Sequence, residues 1–118
     1  MSKILVVDDQ VIVQRLLIET FQEDQHEVET ATNGAEALKV FVNFEPDLIL
    51  MDMKMPGMNG IEILEQIRAL DSLVTVIMMT SYGDPPNMKP SKDLGILYFI
   101  DKPFDLFELR KRVREILN

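Results

Sequence analysis

The residues of this chain that could do chemistry together are an adjacent pair of acids, Asp8 and Asp9, a third acid, Asp52, a hydroxyl, Thr80, and an ammonium, Lys102. Each stands just past a short apolar run: Ile4–Val7 before the acid pair, Asp47–Met51 before Asp52, Val74–Met79 before Thr80, and Ile96–Ile100 before Lys102. If those runs are parallel strands, their carboxyl ends are where an open α/β sheet binds ligands, at the point where strand order reverses. With the order 2-1-3-4-5, that point lies between the first and third strands and sets Asp8 and Asp9 beside Asp52. Carboxylates about 5 Å apart at an effective dielectric of about 20 repel by about 3 kcal/mol per pair, so the pocket demands a cation. An all-oxygen site with few protein ligands suits Mg²⁺ and leaves a coordination position for a phosphate oxygen. Lys102 can act as a point charge on phosphoryl oxygens, and Thr80 can donate to one of them. This is the chemistry of phosphoryl transfer, with Asp52 as the nucleophile that would form an acyl phosphate.

The elements that must position these groups follow from the hydrophobic pattern. The apolar runs are rich in Ile, Leu, Val and Met and lack strict alternation, as expected of strands covered on both faces. A weaker run, His26–Thr30, alternates and reads as an edge strand. Between the runs, four helical faces are predicted: Val13, Leu16, Leu17, Thr20 and Phe21; Ala35, Leu38, Phe41 and Val42; Ile61, Leu64 and Ile67; and Leu106, Leu109, Val113, Ile116 and Leu117. Asn33 before Glu36, Asn59 before Glu62 and Asp105 before Glu108 mark three helix starts, each an N-cap oxygen with an acid three positions on. The expectation is an α/β fold with a doubly wound five-stranded parallel sheet, one domain over 1–118 and no output domain.

Composition removes many other functions. The 118 residues are 47% hydrophobic and 27% charged, as in one globular domain. Twelve Lys and Arg against twenty Asp and Glu give a net charge of -8, which disfavours nucleic acid as a partner. Without cysteine there is no disulfide and no thiolate metal site, and one histidine, His26, does not make a His-based metal site or a triad. His26 itself reads as a surface residue and the eight Met residues as core filler. No signal-like segment opens the chain and no apolar run nears the roughly 18 residues of a bilayer span, so a cytoplasmic protein without membrane contact is expected.

Taken singly, each feature has an ordinary reading: a strand-end turn at Asp8–Asp9, a helix cap at Thr80, a loop at Lys102–Pro103, a βα connection from Asp52 to Gly60. Matching phosphate chemistry at four strand ends is what sets them apart. In order and spacing, Val6-Val7-Asp8-Asp9-Gln10, Asp52-Met53-Lys54-Met55-Pro56-Gly57-Met58-Asn59-Gly60, Met79-Thr80-Ser81-Tyr82-Gly83 and Lys102-Pro103-Phe104 resemble the signature segments of the receiver domains of two-component response regulators. The resemblance covers the whole chain. Within that family, Asp9-Gln10, Asp52-Met53-Lys54 and Lys102-Pro103-Phe104-Asp105 look most like the stand-alone receivers of sporulation-type phosphorelays.

The resemblance implies a flavodoxin-like receiver fold and a signalling phosphoacceptor rather than an enzyme acting on free substrates. It implies that Asp52 accepts phosphoryl from a phosphohistidine of a sensor histidine kinase, with a histidine phosphotransfer protein as a further partner. Asp9, Asp52 and the carbonyl of Lys54 would contact Mg²⁺ directly, and Asp8 largely through water. Thr80 and Phe99 would be the switch residues, the Lys102–Pro103 bond would be cis, and partners would dock at Gln10, Val13, Leu16 and Pro103. Two departures stand out. Asp101 is an acid where the family more often has a small neutral residue; strand alternation turns it away from Lys102, toward solvent. Pro85, Pro86 and Pro90 disfavour helix in the segment where the family has its fourth helix, so a shortened or distorted helix, a mobile loop over Tyr82–Lys89 and a monomer are expected.

Two other functions compete. A small phosphohydrolase with an aspartate nucleophile would also use Mg²⁺, a hydroxyl and a lysine, but its second acid usually sits two residues after the nucleophile, where this chain has Lys54. A receiver-like scaffold that is never phosphorylated would not need the full set of Asp8, Asp9, Asp52, Thr80 and Lys102. Turnover of free phosphate esters separates the first from a receiver, and labelling by acetyl phosphate separates the second.

Overall fold

A computed structural model describes residues 2–55, 57, 59–71, 73–81 and 94–117. The apolar runs form five strands, β1 (Lys3–Val7), β2 (Glu27–Ala31), β3 (Leu48–Asp52), β4 (Thr75–Ser81) and β5 (Tyr98–Lys102). All pair in parallel in the order β2-β1-β3-β4-β5, so the strand order reverses between β1 and β3 as expected. Among the described residues there are four helices, α1 (Val11–Glu23), α2 (Gly34–Phe44), α3 (Gly60–Leu70) and α4 (Leu106–Leu117). The prolines at 85, 86 and 90, and with them the expected shortened fourth helix and mobile loop, lie outside the described residues.

Burial explains the strand composition. Ile4, Val6, Leu48, Leu50, Ile77 and Met79 point to one face and pack on Leu17 and Phe21 of α1 and Leu109 and Val113 of α4. Their neighbours Leu5, Val7, Ile49, Met51, Val76 and Met78 point to the other face and meet Ala37 and Phe41 of α2 and Ile63, Leu64 and Ile67 of α3. Each central strand is thus apolar between its ends because both of its faces are covered. Met51, Met53, Met55, Met78 and Met79 are buried, consistent with Met as filler, and Met53 and Met55 bring the loop after β3 onto the core.

The helix starts are built as their sequences predict, with one difference. At α3, the Glu62 amide donates to Asn59 Oδ1 at 2.9 Å and the Asn59 amide donates to Glu62 Oε1 at 3.2 Å, a complete capping box. At α2, the Glu36 amide donates to Asn33 Oδ1, but the Glu36 carboxylate takes the amide of Thr32 instead. At α4, Asp105 Oδ1 accepts from the amides of Phe107 and Glu108.

Three expectations about faces and boundaries need correction. In α2 the buried positions are Gly34, Ala37 and Phe41, while Ala35 and Val42 are exposed, because Asn33 starts the helix in a phase that turns the 34, 37, 41 row inward. In α1 the inward row is Gln14, Leu17, Thr20 and Phe21; Leu16 is exposed and Val13 is only partly buried. The fifth strand begins at Tyr98, not Ile96. Arg68 is the reason: its guanidinium donates to the carbonyls of Leu94 at 2.7 Å, Val74 at 2.7 Å and Gly95 at 3.4 Å, holding Leu94 and Gly95 in a turn with Gly95 at φ 77°. Burial lowers the Arg68 pKa from its ordinary value.

Candidate functional site

Asp8, Asp9 and Asp52 come together at the carboxyl ends of β1 and β3, each offering a carboxylate oxygen within 4.8 Å of the others. Asp8 is fully buried, with its amide donating to the Ala31 carbonyl at 3.0 Å and its Oδ1 accepting the Gln10 amide at 2.9 Å. Asp52, the last residue of β3, is 3% exposed. The Lys54 amide donates weakly to Asp52 Oδ1, at 3.4 Å, while the Lys54 side chain is exposed.

Lys102, the last residue of β5, reaches into the acids. Its Nζ stands 2.6 Å from Asp8 Oδ2, 3.4 Å from Asp52 Oδ2 and 3.4 Å from Gln10 Oε1. The peptide bond from Lys102 to Pro103 is cis, as the resemblance implies. Burial pushes the Asp52 carboxyl up to about 6, the Asp8 charge pushes the same way, and Lys102 only partly offsets them. At neutral pH Asp52 is therefore mostly ionised and poorly neutralised, a condition that favours attack on an electrophile or capture of a cation. The donor set suits a hard divalent ion: carboxylates alone, close together, with no sulfur and no imidazole among them.

Thr80, in β4, is 2% exposed, and its hydroxyl donates to Asp101 Oδ1 at 2.9 Å, with the Ile100 carbonyl 3.4 Å away. Asp101 is exposed, as alternation predicts, but alternation alone misses its partner. Thr80 and Asp101 are opposite each other in the β4–β5 register, and opposed residues of parallel strands project from the same face. Phe99 lies on that face too and packs, partly buried, against the apolar core on the side of the sheet that α2 and α3 cover. Gln10 and Pro103 are exposed, and so is Leu16 on α1.

Two further residues support the site: Gln14, absent from the sequence reading, and Gly60, which that reading has only as the end of the segment from Asp52. Gln14 is nearly buried, and its amide donates to the Asp8 carbonyl at 2.5 Å and to Thr32 Oγ1 at 3.3 Å. Its signal was its place in the inward row with Leu17 and Phe21. Gly60 begins α3 so close to β3 that a Cβ there would lie 2.5 Å from the Asp52 carbonyl oxygen and 3.0 Å from Met53 Cα. Its signal was a glycine directly after an N-cap, where helix propensity alone gives no reason for one.

Comparison with known proteins agrees with this geometry. The family model described as response regulator receiver domain matches residues 4–114. The chain is 44% identical over 116 residues to sporulation initiation phosphotransferase F of Bacillus subtilis, covering 98% of this chain and 94% of that protein. It is 33% identical to the chemotaxis protein CheY of Halobacterium salinarum, covering 99% of this chain and 98% of the relative. Among solved structures, a response regulator receiver domain protein from Clostridium thermocellum superposes with a TM-score of 0.91 at 29% identity, over 100% of this chain and 95% of that one.

Proposed function

Because the chain belongs to the response regulator receiver family, a signalling family phosphorylated on aspartate, we propose that Asp52 is its phosphoacceptor and a sensor histidine kinase its donor. A carboxylate oxygen of Asp52 attacks phosphorus, the P–N bond of the donor phosphohistidine breaks, and the imidazole leaves with the electron pair. The observation that carries this reading is a buried Asp52, clustered with Asp8 and Asp9, whose oxygen lies 3.4 Å from the Lys102 ammonium. Lys102 supplies a fixed positive charge to the phosphoryl oxygens, and Thr80 supplies a hydroxyl. Asp9, Asp52 and the Lys54 carbonyl would hold Mg²⁺, with Asp8 acting mainly through water. The ion would neutralise charge on the transferring group.

The rim supports docking of a kinase or histidine phosphotransfer protein. Beside exposed Gln10 and Pro103, α1 presents Val11, Ile12 and Leu16, with Ile12 82% exposed. Val13, partly buried, contributes less than its neighbours. The domain works as a monomer through protein contacts, in the cytoplasm; no described helix is long and apolar enough to cross a membrane. The 44% identity to a sporulation phosphotransferase supports a place in a phosphorelay, with the phosphoryl group passed on. Incubation with acetyl phosphate and Mg²⁺ tests the core of this proposal: the protein gains one phosphoryl mass and Asp52→Asn does not. Undiminished labelling of Asp52→Asn would place the nucleophile elsewhere.

A further inference from the structure

We propose that Asp101 is a positioning residue that withholds the Thr80 hydroxyl from the phosphoacceptor until a phosphoryl group competes it away. The inference rests on the reading of Asp52 as that acceptor. A threonine hydroxyl has one proton to give, and here it is given to Asp101 Oδ1 at 2.9 Å. A carboxylate only accepts, and so does a phosphoryl oxygen, so the two compete for one donor.

The arrangement is built into the sheet. Register places Thr80 and Asp101 opposite each other on β4 and β5, while Lys102, one residue on, turns to the other side and engages Asp8 and Asp52. Among the described residues the Asp101 carboxylate makes no ion pair, and no described cation draws it from the hydroxyl. Thr80 is buried and Asp101 exposed, so the bond joins the edge of the pocket to the molecular surface. A partner that covers or neutralises Asp101 would release Thr80, and one that binds only the released form would read phosphorylation there.

Beryllofluoride, a mimic of the phosphoryl group, tests this in the presence of Mg²⁺. Asp101→Ala is expected to bind it about tenfold tighter than wild type, since a hydrogen bond to a charged acceptor no longer has to be broken. Asp101→Asn, which keeps a weaker acceptor, is expected to fall between the two. In a Thr80→Val background, Asp101→Ala is expected to change the affinity by less than twofold. In ligand-free Asp101→Ala, the Thr80 methyl resonance is expected to move toward its beryllofluoride-bound position. An unchanged affinity, an unmoved methyl, or an equal gain in the Thr80→Val background, which would mean simple charge repulsion, each overturns the proposal while leaving Asp52 as acceptor. Wild-type protein that neither binds beryllofluoride nor is labelled by acetyl phosphate would overturn both.

Discussion

At the scale of single residues, Asp52 is held where ionisation costs the fold. Its carboxyl, raised to about 6 by burial and by Asp8, takes up a proton in the native state before it does in the unfolded chain, where the ordinary value is 3.8. Metal-free protein should therefore gain stability as pH falls from about 7 to about 4, by about 3 kcal/mol if the full difference is realised. Denaturant melts across that range measure this, and Asp52→Asn should flatten the dependence. Asp24 works in the opposite sense: the Arg110 guanidinium holds its carboxyl below the usual range, so its contribution is present above pH 4 and lost in stronger acid. The identities at the pocket, Asp8, Asp9, Asp52, Thr80 and Lys102, were legible in the sequence because each terminates an apolar run. The Thr80–Asp101 bond was not, because it depends on how β4 and β5 are aligned, and the turn held by Arg68 moves β5 two residues along from its apolar run.

At the scale of elements, α3 and α1 do different work for the pocket. The start of α3 lies against the Asp52 backbone, so Gly60→Ala forces a contact with a carbonyl oxygen that cannot move aside. It should cost about 1–3 kcal/mol and lower the labelling rate, measured by thermal melting and by acetyl phosphate uptake. Asn59→Ala removes the capping box alone, should cost about 1 kcal/mol, and should leave labelling unchanged. On α1, Leu17→Ala should cost about 2–5 kcal/mol, since the side chain is fully buried. Ile12→Glu should leave the melt within about 0.5 kcal/mol and slow only transfer from a kinase, with acetyl phosphate labelling intact. Helix starts were readable from Asn33, Asn59 and Asp105. The inward rows of α1 and α2 were read less well, because Gln14 is polar and Ala35 and Val42 are apolar, and only the helix phase decides between them.

At the scale of the whole molecule, one sheet joins two apolar layers, and the carboxylates stand at its one end. A metal that binds only the folded form should stabilise all of it. At about 100 times its dissociation constant Mg²⁺ should add about 2.7 kcal/mol, read as a higher melting temperature that chelation reverses. Asp9→Ala should lose most of that gain. Sedimentation should find a monomer with and without beryllofluoride; a dimer that forms only with the mimic would contradict the proposed monomer. The parallel order was legible because βα alternation and the strand-end acids point to the same topology.

The division of α1 by depth has a consequence for how such a protein can diverge. Gln14 grips the Asp8 carbonyl and Leu17 and Phe21 seal the core, while Val11, Ile12 and Leu16 on the same helix face outward. Substitutions in the outer row leave the anchoring row in place, so the chemistry is insulated from them. With partners docking on the outer row, as proposed, two copies of such a gene could drift apart in whom they listen to while answering in the same way, with crosstalk between them removed one surface residue at a time.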